Sequence, residues 1–107
     1  IEHRMGDAAA NPYTHTAAVL QAARLGVANA YKLQPAETGD CLENKDATHS
    51  VPGTLAGALD ALEADTVLTQ ALGEGLVANH VGIKRHEIER TAGLEGDALR
   101  DHYIRFI

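Results

Sequence analysis

Residues 1–13 read IEHRMGDAAANPY, and this stretch changes from a strand pattern into a helix start. Its first five side chains alternate, so that Glu2 and Arg4 share one face and His3 lies on the other. This alternation predicts a short N-terminal strand. An acid beside a guanidinium is also a coherent candidate site, because the carboxylate suits a hard metal ion and the guanidinium can bind a carboxylate through two hydrogen bonds. A solvated surface ion pair is the other interpretation, and the more common one.

The next segment predicts a long helix followed by a long loop. Asn11 offers an N-cap oxygen and Pro12 suits the first helical position, so a helix is expected to about Ala30. Apolar residues recur along it at three- and four-residue steps and form a stripe of mostly small side chains: Ala17, Leu20, Ala23, Val27 and Tyr31. Residues 32–53 contain Pro, Gly, Asp and Asn without periodicity, which predicts a loop.

The second half of the chain predicts further short helices. These are expected over residues 55–65, 66–72, 75–91 and 98–106. Thr54, Asp65 and Asp97 are the expected N-caps of the first, second and fourth. On the third, Arg85 and Glu89 are four residues apart and predict an exposed ion pair. The predicted fold class of the segment is therefore mainly α, with four to five helices and one short N-terminal strand.

Composition excludes several classes of function. The chain has 107 residues with 9 basic and 15 acidic side chains, a formal charge of −6. Its longest basic cluster is the pair Lys84-Arg85, so attraction to nucleic acid or to an anionic membrane is not supported. No apolar run approaches the ~18 residues of a membrane span, and the single Cys41 fits a reducing compartment. We expect a soluble, cytoplasmic protein.

Other candidate sites are weakly supported. The six histidines stand at positions 3, 15, 49, 80, 86 and 102, and no two have the i, i+4 spacing that would join them on one helix face. The chain has no glycine-rich phosphate loop, and Ser50, its only serine, lacks a nucleophile signature. Glu2 and Arg4 are therefore the candidates that remain.

These residues carry a resemblance to a known family. IEHRMGDAAANPY resembles the late active-site strand and following helix of the glutamine synthetase family, in which acid-x-Arg precedes a turn and Ala-Asn-Pro-Tyr. The stretch over residues 53–65, GTLAGALDALEAD, and the stretch over residues 72–90, LGEGLVANHVGIKRHEIER, look like later segments of that family in the same order. The resemblance implies that residues 1–107 are a C-terminal fragment of a larger α+β catalytic domain of the glutamine synthetase type.

The resemblance also implies a reaction and roles for two residues. The parent enzyme would use ATP to activate the side-chain carboxylate of glutamate as γ-glutamyl phosphate, which ammonia or an amine then attacks, with Mg or Mn as cofactor. Glu2 would bind a metal and Arg4 would bind substrate. No catalytic residue is assigned, and no cofactor is expected to bind tightly to the fragment. The parent is expected to be a ring-shaped homo-oligomer. His3 and Gly6 resemble the branch of the family that uses amines or polyamines.

Two other functions stay open at this level. The chain could be a stand-alone helical interaction module, or an inactive homologue retained as a regulator. The ligase hypothesis predicts that the fragment alone is inactive, because the other metal carboxylates and the nucleotide-binding stretch lie upstream in the family. It also predicts no control by nucleotidylation of a tyrosine in the loop over residues 32–53, since that loop contains none.

Overall fold

The structure is a computed structural model that describes residue 3 and residues 6–7, 10–36, 38–40 and 50–105. Within these ranges it contains five α-helices and no strand. They are α1 (Pro12–Ala28), α2 (Leu55–Ala64), α3 (Thr66–Leu72), α4 (Glu74–Thr91) and α5 (Gly96–Tyr103). The prediction of a mainly helical segment is confirmed. Of the predicted N-terminal strand the structure describes His3, which has no strand assignment, and the other four residues lie outside the described part.

Helix α1 begins where the sequence predicts and ends slightly earlier. The Asn11 side-chain oxygen accepts hydrogen bonds from the backbone amides of Tyr13 at 3.0 Å and Thr14 at 3.2 Å. At the other end Ala30 has φ +49°, and the amide of the following residue, Tyr31, donates to the Gly26 carbonyl at 3.0 Å. This left-handed residue turns the chain away from the helix and satisfies a terminal carbonyl. The helix therefore ends at Ala28 rather than at Ala30.

Local caps also delimit α2 and α3. Thr54 Oγ1 accepts from the amide of Gly57 at 3.1 Å, and Asp65 Oδ1 accepts from the amide of Leu68 at 2.9 Å. Gly73, with φ +96°, separates α3 from α4 in a conformation that favours glycine. The predicted N-caps at Thr54 and Asp65 are confirmed.

The predicted cap of the last helix is wrong. Helix α5 begins at Gly96, and Glu95 occupies its N-cap position without a side-chain cap hydrogen bond. Asp97 instead lies in the first helical turn, where its carboxylate is 3.0 Å from Arg100. A carboxylate in the first turn is favoured by the helix dipole, so the same residue stabilises the helix start in a different way.

The core is small and lies between α2 and α4. Its buried members are Leu59, Val77 and Val81, and partly buried neighbours pack against them: Leu62, Leu72 and Ile88. Helix α3 contacts both α2 and α4, and α1 packs against α3. Three buried side chains are few for the residues that the structure describes.

A tertiary ion pair links α2 to α4 and corrects a prediction. Arg85 on α4 donates to Asp60 Oδ1 on α2 at 2.8 Å and also to Glu63. The predicted pair of Arg85 with Glu89 is therefore wrong, and Glu89 lies 3.7 Å from His86. The hydrogen bond to Asp60, followed by that to Glu63, raises the pKa of Arg85. Arg85 therefore pairs with two acceptors on the neighbouring helix α2, whereas the prediction gave it one acceptor on its own helix α4.

The chain exposes more surface to solvent than a compact monomer of the same mass. Its solvent-accessible area is 8942 Å², whereas a compact monomer of 11.3 kDa has about 5,700 Å². Its radius of gyration is 16.2 Å, against about 13 Å for a compact domain of this length. Several large apolar side chains of the described helices are exposed to solvent, among them Leu20 and Val27 on α1 and Ile83 on α4.

Candidate functional site

The structure describes some residues next to the predicted site but not its two charged residues. Glu2 and Arg4 lie outside the described residues, whereas His3 between them and Gly6 and Asp7 after them are described. The described neighbours of the candidate site are therefore His3, Gly6, Asp7 and the first turns of α1.

His15 is the side chain of α1 that contacts this leading segment. Its imidazole and that of His3 have ring centroids 5.5 Å apart and planes inclined by 57°. The same imidazole lies against Gly6, where an added Cβ would be 2.6 Å from His15 Cε1 and 2.9 Å from Nε2. One ring therefore contacts the segment on both sides of Arg4 in the sequence.

The turn that joins this segment to α1 is closed by backbone hydrogen bonding. The Ala10 amide donates to the Asp7 carbonyl at 3.1 Å, and Asn11 immediately begins the helix cap. Because Pro12 has a fixed φ and Asn11 is held by two amides, the direction in which the segment leaves the helix is restricted. The motif Asn11-Pro12 thus contributes to the placement of the candidate site as well as to helix initiation.

An open groove of about 1370 Å³ runs from the start of α1 to α4 and α5. Its polar lining includes Asn11, His15, Lys84, Glu87 and Tyr103, and leucine and valine side chains of α2 and α4 line its apolar part. The start of α1 and a polar cluster on α4 and α5 therefore line the same groove.

That polar cluster is a hydrogen-bonded link between two helices. Lys84 Nζ donates to Glu87 Oε2 at 2.7 Å, and the Tyr103 hydroxyl of α5 donates to Glu87 Oε1 at 2.8 Å. The hydrogen bond from Lys84 lowers the pKa of Glu87, although partial burial acts in the opposite direction. The same carboxylate raises the pKa of Tyr103. These groups satisfy one another, so the cluster holds α5 on α4.

The described residues do not form a complete metal site. No three His, Cys, Asp or Glu side chains within the described ranges are grouped so that they could hold a metal ion. Among the same residues, no helix is both long and apolar enough to cross a membrane.

Comparison with known proteins assigns the family. The model of the glutamine synthetase catalytic domain matches residues 1–101, which include the acid-x-Arg segment and all or part of every helix. The chain belongs to the glutamine synthetase catalytic-domain family. The family predicted from the sequence is thereby confirmed.

Individual relatives agree with this assignment. The chain is 37% identical to human lengsin over 108 residues, 36% identical to a glutamine synthetase of Methanocaldococcus jannaschii over 105, and 34% identical to protein fluG of Emericella nidulans over 102. These alignments cover 99%, 86% and 88% of this chain, but 20%, 22% and 12% of the respective relatives. The chain thus spans about a fifth or less of the length of these relatives. No solved structure matches it significantly.

Sequence reasoning missed the contacts of His15 with His3 and Gly6. It treated His15 as one of six scattered histidines and considered only metal binding. The available signal was Gly6, a glycine between the alternating segment and the helix cap that neither ends nor begins a helix. A glycine in such a place indicates a close approach of another group to the backbone.

Proposed function

We propose that this chain is the C-terminal part of the catalytic domain of an ATP-dependent ligase that joins ammonia or an amine to the γ-carboxylate of glutamate. The observation that carries the proposal is the match of the glutamine synthetase catalytic-domain model from residue 1 to residue 101. A match to one helical stretch alone would be equally compatible with an interaction module. The matched range instead includes the candidate acid-x-Arg site as well as the helices behind it.

The shape of the chain supports its place in a larger domain. Helix α1 carries Ala18, Ala22 and Leu25 on the side near the other helices, and Leu20 and Val27 on the opposite side. The side chains on that opposite side are 63% and 84% exposed. Exposed apolar side chains at seven-residue spacing on one side of a helix are typical of a surface that other protein covers, which supports a place for α1 in a larger domain. On this basis the fragment alone is inactive.

Glu2 and Arg4 have complementary roles in the proposed site. Glu2 supplies one carboxylate to Mg or Mn, and the remaining ligands come from other parts of the parent protein. The metal ion would offset negative charge on the phosphates during phosphoryl transfer. Arg4 binds the carboxylate or phosphoryl oxygens of the substrate, for which a planar guanidinium with paired donors is well suited. ATP, glutamate and the nitrogen donor are the proposed substrates, and the proposed assembly is a ring-shaped homo-oligomer.

The test is glutamate-dependent release of phosphate from ATP by the intact parent protein, with ammonia and with amines as separate nitrogen donors. Release that requires both glutamate and a nitrogen donor supports the ligase. A higher kcat/KM with amines would support the amine-using branch suggested by His3 and Gly6. A correctly folded parent without this activity would contradict the ligase and favour an inactive homologue or an interaction module.

Substitutions at the two candidate residues locate the activity in this chain. Glu2→Gln keeps the shape of the side chain but removes its charge, and we expect kcat/KM to fall on the order of 10²-fold or more, with weaker Mn²⁺ binding. Glu89→Gln is the matched control, because Glu89 is 78% exposed on α4. Arg4→Lys should raise the KM for glutamate, and Arg100→Lys on α5, where the side chain is 62% exposed, is its control. Equal effects at candidate and control positions would contradict the assignment.

A further inference from the structure

The segment that carries Glu2 and Arg4 meets the helix behind it through one side chain. His15 lies in the first turns of α1, is partly buried, and contacts both His3 and Gly6. These two contact points flank Arg4 in the sequence. A contact at one point would leave the segment free to pivot, whereas contacts at two points also restrict its register along the helix.

The contact at Gly6 depends on the absence of a side chain. An added Cβ would lie 2.6 Å from His15 Cε1, which is closer than non-bonded carbon atoms approach in proteins. The atoms nearest to that added Cβ all belong to the imidazole of His15. An alanine at this position would therefore have to displace the ring.

The contact at His3 joins two aromatic rings. Two rings 5.5 Å apart and inclined by 57° are within the range of favourable aromatic pairs. The contact therefore holds the imidazole of His3 against α1.

We propose that His15 is a positioning residue: its imidazole, which contacts His3 and Gly6, supports the acid-x-Arg segment on α1, and the binding of metal by Glu2 and of substrate by Arg4 depends on this support. This inference rests on the proposed function for its consequence, but the contact itself is independent of it. The pair of imidazoles is not a metal site by itself, since no three ligating side chains are grouped within the described part of the chain.

A double-mutant cycle in the intact parent protein tests the contact. Gly6→Ala should displace the imidazole, lower the melting temperature and remove the nuclear Overhauser effect between the rings of His3 and His15. In the His15→Ala background the same Gly6→Ala change should have little further effect, because the colliding atoms are gone. Additive effects of the two substitutions, or no such effect between the rings of the unmodified protein, would overturn the proposal.

Metal affinity and kinetics test the positioning role. His15→Ala should weaken Mn²⁺ binding by about 10-fold or more and raise the KM for glutamate, as changes to residues that orient metal ligands do. His15→Phe retains a flat ring against His3 and should restore most of the loss. His86→Ala on α4, where the side chain is 68% exposed, is the control and should change neither quantity. Equal losses for His15→Ala and His15→Phe, or unchanged Mn²⁺ binding in both, would overturn the positioning role.

The two proposals fail in different ways. An unmodified parent that neither binds Mn²⁺ nor releases phosphate in response to glutamate contradicts the proposed function and, with it, the role of His15 in that function. The cycle between Gly6 and His15 would still decide the contact in that case. Conversely, an active parent in which His15→Ala retains full Mn²⁺ affinity keeps the proposed function and overturns the positioning role alone.

Discussion

The segment from α2 to α4 and helix α1 differ in how completely their apolar residues are buried. The first contains every buried side chain that the structure describes, namely Leu59, Val77 and Val81. Helix α1 is 17 residues long and contains none. Both are rich in apolar residues, so composition does not explain the difference. What differs is the supply of partners: α2, α3 and α4 face one another, whereas the main helix contact of α1 within the described residues is with α3.

This difference shows which part of the chain buries its apolar residues through its own contacts. Short loops bring α2, α3 and α4 together, and their contacts need few residues to be ordered beyond the helices themselves. Helix α1 is followed by a long connection before α2, and its outward face carries Tyr13, Leu20 and Val27 at seven-residue spacing. We infer that this face packs against the remainder of the catalytic domain, which the proposed function requires.

The largest expected effect is at the centre of the core. Leu59 is 2% exposed, and Leu59→Ala should lower the free energy of unfolding by about 2–5 kcal/mol through lost burial and a cavity. Urea unfolding of the 107-residue chain, followed by helical circular dichroism, measures it. Leu20→Ala makes the same chemical change on α1 at a side chain 63% exposed, and should cost less than about 0.5 kcal/mol. Similar losses at the two positions would show that the contrast between the regions is wrong.

A second prediction compares one substitution in two contexts. Val27 is 84% exposed here, so Val27→Ser should change the stability of the 107-residue chain by less than about 0.5 kcal/mol. In the intact parent, where we infer that this face is covered, it should cost about 1.5–3 kcal/mol from lost burial. Serine and valine have similar helix propensities, which keeps the comparison to burial. Equal effects in both contexts would contradict a covered face.

The third prediction concerns the link between α4 and α5 and follows from two pKa shifts. The pKa of Glu87 is lowered from its ordinary 4.5, so its contribution to stability is present above pH 4.5 and is lost as pH falls through the lower folded-state pKa. The pKa of Tyr103 is raised from 10.0, so its contribution is present below pH 10 and is lost as pH rises through the higher folded-state value. The link should therefore be strongest between these two limits.

Glu87→Gln tests the acidic limit. At neutral pH we expect a loss of about 1 kcal/mol from the two weakened hydrogen bonds. The loss should shrink as the pH is lowered below 4.5, because protonation weakens the same bonds in the unmodified chain. Unfolding free energies measured across this range, with Glu89→Gln as the exposed control, provide the readout. A pH-independent loss would show that the carboxylate charge does not contribute to the link.

The sequence predicted the starts of α2 and α3 because the signals there are local. The N-caps Thr54 and Asp65 act on amides three residues away, and Gly73 acts through its own backbone. The sequence could not predict the partners of Arg85, since Asp60 and Glu63 lie on another helix, 25 and 22 residues earlier. Asp60 and Glu63 come within hydrogen-bond distance of Arg85 only when α2 packs against α4, and helical spacing within α4 does not predict that packing.

The candidate site shows the same division between local and tertiary information. Alternation and the Asn-Pro helix start pointed to Glu2 and Arg4 and to the correct beginning of α1. The contact of His15 with Gly6 joins residues nine apart across a turn, and neither periodicity nor cap chemistry predicts it. Residue types therefore yield a prediction of the chemistry of the site, whereas the contact of His15 with the leading segment depends on tertiary structure.

The smallest expected effect is a gain in stability at the end of α1. Ala30 has φ +49°, which disfavours a residue with a Cβ, and Ala30→Gly should stabilise the end of the helix by a few tenths to about 1 kcal/mol after the greater entropy of unfolded glycine is subtracted. Hydrogen exchange of α1 amides in the 107-residue chain measures this local opening directly. Ala23→Gly inside the same helix is the matched control and should speed exchange, at a cost of about 1 kcal/mol. Because no buried side chain holds α1 in this chain, both changes should alter exchange in α1 and leave α2 and α4 unchanged. Equal changes in exchange across all three helices would show instead that α1 is cooperative with the core, and the two regions would then be one folding unit.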